Sequence, residues 1–253
     1  MENTVTALID ADSLIYFEMN KPTLEEAIAG IDDRIINMLK ETKATHFAGY
    51  LTTGRCFRYG RAETRKYKGN RKKTDRPIIF YALKEYLQQT WKCTYLTEVE
   101  ADDLVCMYAN PKEGTTVVCS PDKDVLYQLE GDHFNYRTAE WINTTPTEAE
   151  LFLWKQMLMG DPTDGIPGIP KVGEKTATAW LNDVQLQEMP EFVLKKYIEK
   201  FGNHEGILKF TETFRLVYIL KTEADLIRET GIELPELVKF KYETHQNPPE
   251  LWQ

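Results

Sequence analysis

Apolar positions along the chain follow two regimes. Up to about residue 145, short apolar runs alternate with amphipathic stretches. VTALIDA (5–11) is a brief apolar run that ends in a carboxylate, and THFAGYLT (45–52) is a second. Between them Leu24, Ile28, Ile31, Ile35, Met38 and Leu39 recur at helical spacing, which predicts a helix over 24–41. PIIFYALKEYLQQT (77–90) is a helix with Pro near its first turn. KCTYLT is then a strand, EADDLVCMYA a helix, TTVVCS a strand, PDKDVLYQL a helix and DHFNYR a strand. Strand alternating with helix predicts a parallel α/β sheet flanked by helices.

The second regime is helical. TEAELFLWKQMLMG, KTATAWLND, PEFVLKKYIEKFG and HEGILKFTETFRLVYIL each keep a helical pattern, and HQNPPELWQ is a loose tail. The expected organisation is an α/β core over 1–145 and a helical lobe over 146–253. The length of 253 residues suits one large domain, or a core with a lobe. No run approaches the roughly 18 apolar residues of a membrane helix. The acidic start MENTVTALIDADSLIY has no basic region or cleavage site, so a cytoplasmic protein without a membrane partner is expected. Cys56, Cys93, Cys106 and Cys119 form no CxxC pair, and the four histidines no HxxxH. That spacing argues against disulfide and zinc frameworks.

Charge changes the picture. The chain carries −9 overall, which by itself argues against nucleic acid. Residues 55–76, RCFRYGRAETRKYKGNRKKTDR, nevertheless hold ten Lys/Arg against two acids. Such a run can be a solvated loop. Phe57, Tyr59 and Tyr67 within it suit base stacking beside phosphate contacts, with Arg58, Arg65 and Lys72 as candidate DNA-binding cations.

The acids gather at strand ends and helix starts: Asp10 and Asp12 after the first strand, Glu100, Asp102 and Asp103 opening a helix, Asp122 and Asp124 after TTVVCS. Each pair alone could be a helix cap. Ligands of open α/β sheets bind outside the carboxyl ends of the strands, so these exits aim at one crevice. Converging carboxylates need cations, and an all-oxygen set suits Mg²⁺ or Mn²⁺. Two such ions can clamp both oxygens of a phosphodiester displacement.

Asp161 and Asp164 would add a fourth source. They open GDPTDGIPGIPKVGEKTA (160–177), a near miss to a phosphate-cradling loop because Glu174 separates Gly173 from Lys175 and no strand precedes it. Helix, turns, helix fits better. Gly165, Gly168 and Gly173 allow close backbone approach, and the helix start with Lys171, Lys175 and Thr176 can hold phosphate. A plain interhelical connector is the competing reading.

LIDADSLIY, RKYKGNRKK, VEADDLV, SPDKDVLYQL and the 160–177 stretch together resemble the 5′ nucleases, the flap endonuclease/exonuclease superfamily. The match spans residues 8–177. The resemblance implies a PIN-like core, a helix–three-turn–helix (about 148–182) on the DNA duplex, and a basic helical arch (about 54–76). It implies a stand-alone, phage-type enzyme, monomeric, cutting DNA near a free 5′ end with two Mg²⁺ or Mn²⁺. By position, Asp10, Glu100, Asp102, Asp103, Asp122, Asp124, Asp161 and Asp164 match the metal-binding acids. Lys68 and Arg71 match the residues at the scissile phosphate, and Tyr67 is placed to stack on a terminal base. The resemblance also implies K⁺ at the turns around Ile166, Ile169 and Val172. One acid of the family pattern is missing: Thr53 stands nearest its place, and Asp12 is the candidate to compensate. A DNA-binding protein with weak cleavage is one alternative. A PIN-type ribonuclease is another, which the duplex-binding turns argue against. RNA–DNA hybrid is a further possible substrate.

Overall fold

The computed structural model describes residues 4–71, 76–109 and 115–242. At its centre is β1 (Val5–Asp10), apolar and buried along both faces, as a middle strand must be. It pairs in parallel with β2 (His46–Tyr50) and with β3 (Thr115–Cys119). Next to β3 lies β4 (Gly131–Asn135), again parallel. Two antiparallel strands close the edges: β5 (Glu140–Thr144) on β4 and the two-residue β8 (Phe240–Lys241) on β2. The sheet order is β5-β4-β3-β1-β2-β8, so the expected parallel sheet is mixed at its rims.

Alternation along β1 separates two cores. Ala7 and Ile9 face α1 (Asp12–Glu18), α2 (Leu24–Glu41) and α4 (Ile78–Gln89). Leu8 faces α5 (Ala101–Tyr108) and α6 (Lys123–Gln128), together with Ile219, Leu220 and Leu226. α2 matches the periodic run of the sequence. Thr23 caps it through Glu26 N, and Ala27, Ile31, Ile35, Met38 and Leu39 are its buried stripe.

The helical part begins at α7 (Pro146–Met159), which opens with a reciprocal Thr145/Glu148 capping box and Pro at its first turn. A two-strand ribbon follows, β6 (Gly160–Asp161) against β7 (Ile166–Pro167). Then come α8 (Glu174–Leu181), α9 (Met189–Phe201), α10 (Asn203–Val217) and α11 (Glu223–Thr230). Leu153, Met157, Leu158, Ile166, Ala177, Val193 and Tyr197 make a third core, which also takes in Cys56 and Tyr67 of the basic segment. Past α10 the chain returns to the sheet through Ile219, Leu220 and β8.

Two expectations need correction. KCTYLT is not a strand: only Thr94 bridges Tyr50, and positive φ at Lys92 (52°) and at Glu98 (66°) cuts the extended stretch short at both ends. Nor does the basic segment form a helical arch among the described residues. Its one helix there is α3 (Arg58–Arg61), and the turns up to Arg71 bond to the helical part instead. Lys72 lies outside the described residues.

Candidate active site

The parallel strands deliver their carboxyl ends to one cleft of about 600 Å³. Asp10 is the last residue of β1, Asp12 begins α1, Glu100 caps α5, and Asp122 caps α6 with its side chain on Asp124 N (2.8 Å). Asp161 and Asp164 enter from the ribbon and the turn behind α7. All of these, with Asp102 and Asp124, line the cleft, as do Lys68, Arg71 and Thr53.

Burial and mutual repulsion dominate the chemistry. Burial, then the neighbouring Asp12, pushes Asp10 up to about 7 even though Ser120 Oγ donates to it (2.8 Å). Burial and Asp122 push Asp124 up to about 7 as well. Asp102, half-buried in the cleft wall, is raised well above the usual carboxylate range, by loss of water contact first and then by Asp10 and Asp122. Burial raises Asp12 and Asp122 too. Glu100 goes the other way: burial alone would raise it, but Arg58 and Lys68 outweigh burial and hold it at about 2.

Three of the cations lining the cleft pair with its acids. Lys68 Nζ bonds Glu100 and lies 3.6 Å from Asp164; Arg71 bonds Asp164; Lys123 Nζ stands 3.5 Å from Asp161 and 3.4 Å from Asp124. Among the described residues no three of the acids already converge as a metal-holding group. The donor set still fits hard divalent cations. It is all oxygen, burial and then the neighbouring acids raise several members above the usual carboxylate range, and Asp124 Oδ1 is buried with no hydrogen bond, facing only the Lys123 ammonium at 3.4 Å among the described residues.

Three sequence candidates lie elsewhere. Asp103 is wholly buried and takes both guanidinium nitrogens of Arg58 (2.7 Å each) and Leu220 N (3.0 Å). Its lone pairs are spent on the fold, and it does not line the cleft. Arg58 is likewise no phosphate contact. It is buried, and it also donates to Glu100, Leu216 O and Tyr218 O. Tyr67 is not free to stack on a base: its ring packs edge-on against Tyr59, and its hydroxyl serves Glu100 and Asp164 (3.0 Å each).

The turn region is built on close backbone contact. A Cβ on Gly168 would come within 2.2 Å of Met159 C, and one on Gly160 within 2.2 Å of Gly168 N. Gly165 and Lys171 have φ of 70° and 68°. Gly173 caps α8; Lys175 and Lys171 are exposed there, and Thr176 is half-buried. Arg65 is exposed beside Pro167, Gly168 and Lys209.

Sequence reading missed Lys123, Lys84, Arg76, Tyr16 and Tyr81, all of which line the cleft. Lys123 was legible, since it sits between two candidate acids. Lys84 was not: it reaches Thr52 O (2.6 Å) from α4, while Asp12 takes Thr52 N through both oxygens (3.1 Å).

A mostly parallel sheet whose strand ends feed an acidic cleft, with cations facing it and a Gly/Pro turn between helices beside it, defines the PIN-like 5′ nuclease architecture. The family model of the 5′-3′ exonuclease N-terminal, resolvase-like domain matches residues 6–152, and the chain belongs to that family. It is 29% identical to flap endonuclease Xni of Vibrio atlanticus, over 87% of this chain and 93% of that protein. It is 31% identical to DNA polymerase I of Bacillus subtilis over 79% of this chain, and spans only 26% of the polymerase. Among solved structures, the bacteriophage T5 flap endonuclease with DNA and metal ions shares the fold. Its TM-score is 0.64 at 18% identity, over 88% of this chain and 93% of that one. The DNA-bound catalytic core of Rad2 follows at 0.53 and 11%, over 96% and 83%.

Proposed function

We propose that this chain is a divalent-metal-dependent 5′-3′ exonuclease and flap endonuclease that hydrolyses DNA phosphodiesters near free 5′ ends. The observation that carries this is the convergence of carboxylates from β1, α1, α5, α6 and the α7–α8 turn on one cleft that also holds Lys68 and Arg71. Relatives named flap endonuclease and exodeoxyribonuclease support the same reading, and bound metal in the T5 enzyme supports the metal requirement.

Asp10, Asp102, Asp122, Asp124, Asp161 and Asp164 would hold two divalent ions, Mg²⁺ or Mn²⁺, with Glu100 and Asp12 at the margin. When bound, such ions neutralise phosphate charge and make water a better nucleophile. Asp12 supplies the carboxylate that Thr53 lacks. Lys68 and Arg71 donate to the non-bridging oxygens as charge develops on the phosphate. The α8 N-terminus with Gly173, Lys171 and Lys175 grips the duplex backbone, and carbonyls around Ile166, Ile169 and Val172 hold K⁺. RNA–DNA hybrids enter the same cleft. The enzyme works as a monomer in the cytoplasm.

The test is cleavage of a 5′-labelled flap and a nicked duplex with Mg²⁺, Mn²⁺ or EDTA, with Asp122→Asn beside the wild type. Metal-dependent product release that falls at least about 100-fold in the variant is expected. DNA binding without cleavage in either metal would overturn the reading.

A further inference from the structure

We propose that Asn70 is a positioning residue that fixes the Lys68–Arg71 turn on the Asp161–Asp164 loop, and so sets the two phosphate-facing cations relative to the carboxylates. This rests on the nuclease reading above. Asn70 Nδ2 donates to Pro162 O (2.7 Å) and to Thr163 O (3.2 Å). Two residues earlier, Lys68 N donates to Asp164 O (2.8 Å). A side-chain amide and a backbone amide thus grip three consecutive carbonyl-bearing residues, Pro162 to Asp164, from a segment more than ninety residues away in sequence.

The turn is tight by itself. Lys68 has φ of 53°, Gly69 N bonds Lys66 O (3.0 Å), and Arg71 N bonds Lys68 O (3.1 Å). A Cβ on Gly69 would meet Lys66 O at 2.8 Å. Such a turn has little internal freedom, so its placement depends on what it is fastened to. The facing residue makes room for the fastening: a Cβ on Gly165 would stand 3.2 Å from Asn70 Oδ1.

The ion pairs of Lys68 and Arg71 cannot do this job during turnover. Lys68 bonds Glu100 and Arg71 bonds Asp164, and both cations must release part of those contacts to meet a phosphate. Among the described residues the Asn70 amide donates to the backbone carbonyls of Pro162 and Thr163, and these are not among the carboxylates that metal or phosphate would engage. Catalysis is sensitive to small displacements of charged donors, so loosening this fastening should slow chemistry more than it weakens binding. The contact is exposed, and its loss should leave the cores intact.

The experiment compares Asn70→Ala, Asn70→Asp and Asn70→Gln with the wild type. Asp keeps the shape but cannot donate to carbonyls, and Gln keeps the donor. Single-turnover cleavage should fall roughly 10- to 100-fold in the Ala and Asp variants and recover in part with Gln. DNA affinity measured in EDTA should change less than about threefold, with an unshifted melting temperature. Amide exchange at Lys68 should accelerate in Asn70→Ala, a readout that needs no activity. Unchanged cleavage and unchanged exchange in Asn70→Ala would overturn the proposal. So would an affinity loss equal to the rate loss, which would make Asn70 an ordinary DNA contact. A wild type that cleaves no DNA would sink the nuclease reading instead, and the exchange result would still decide whether Asn70 fastens the turn.

Discussion

At the scale of single residues, the strongest test concerns Arg58. It is nearly inaccessible, yet its charge is retained. Burial alone would lower its pKa, but Asp103, Tyr67 and Glu100 beside it raise it. Two carboxylates and two carbonyls take its donors in fork geometry. Removing one partner of such a buried group strands the other, at a cost of about 3–5 kcal/mol. Arg58→Met should therefore lose about that much in metal-free urea unfolding, and Arg58→Lys should not restore it, because an ammonium cannot make the fork. The double change Arg58→Met with Asp103→Leu should recover much of the loss. A single variant within about 0.5 kcal/mol of wild type would contradict this account. None of it was legible locally. Arg58 lies in a run of cations and Asp103 in a run of acids, and both patterns point to ligands. What decides their fate is Leu216 and Tyr218, whose carbonyls arrive from the last turn of α10 and the residue just past it only in the folded chain. Asp10, Asp122 and Asp161 were legible for the opposite reason: a carboxylate at a strand exit or turn has its direction set by the element that carries it.

At the scale of elements, the ribbon between α7 and α8 depends on the absence of two side chains. Gly160 and Gly168 pass each other with no space for a Cβ, and the atoms in the way are backbone. Gly168→Ala must therefore move the turn away from the end of α7, where Ile169 N bonds Leu158 O (2.8 Å). The expected cost is about 1–3 kcal/mol in thermal or urea unfolding, with a loss of duplex affinity. Gly60→Ala in α3, where a Cβ meets nothing within 4 Å, is the control and should be neutral or slightly stabilising. Equal behaviour of the two variants would remove the packing argument. The sequence shows this turn because Gly and Pro punctuate it. It shows α2 because its stripe repeats for eighteen residues. It hides β8, two residues long and defined by a partner nearly 200 positions earlier. α11 could have been found: Thr222 and Asp225 form a capping box, and Gly231 ends the helix at φ of 75°.

At the scale of the whole molecule, the fold holds a crowded set of acids against its own electrostatics, and pH should expose this. Asp10 and Asp124 titrate at about 7 in the fold against 3.8 as free side chains. Between those values the folded chain keeps protons that the unfolded chain has released. Their contribution to stability is therefore complete below about pH 3.8 and is lost as pH rises through about 7. Asp12, Asp102 and Asp122 shift in the same direction. Glu100 opposes them: at about 2 folded and 4.5 free, its contribution is present above 4.5 and lost as pH falls through 2. The two windows leave the metal-free protein most stable in mild acid. Urea midpoints in EDTA should fall from about pH 5 to about pH 8, each full proton difference contributing about 1.4 kcal/mol per pH unit. Asp10→Asn with Asp124→Asn should flatten that slope. Divalent metal should raise the midpoint far more at the higher pH, because only deprotonated carboxylates bind it. A metal-free midpoint that stays level or climbs over this range would mean that burial and crowding do not raise these acids in the fold. The need for cations in the cleft would then lose its electrostatic basis.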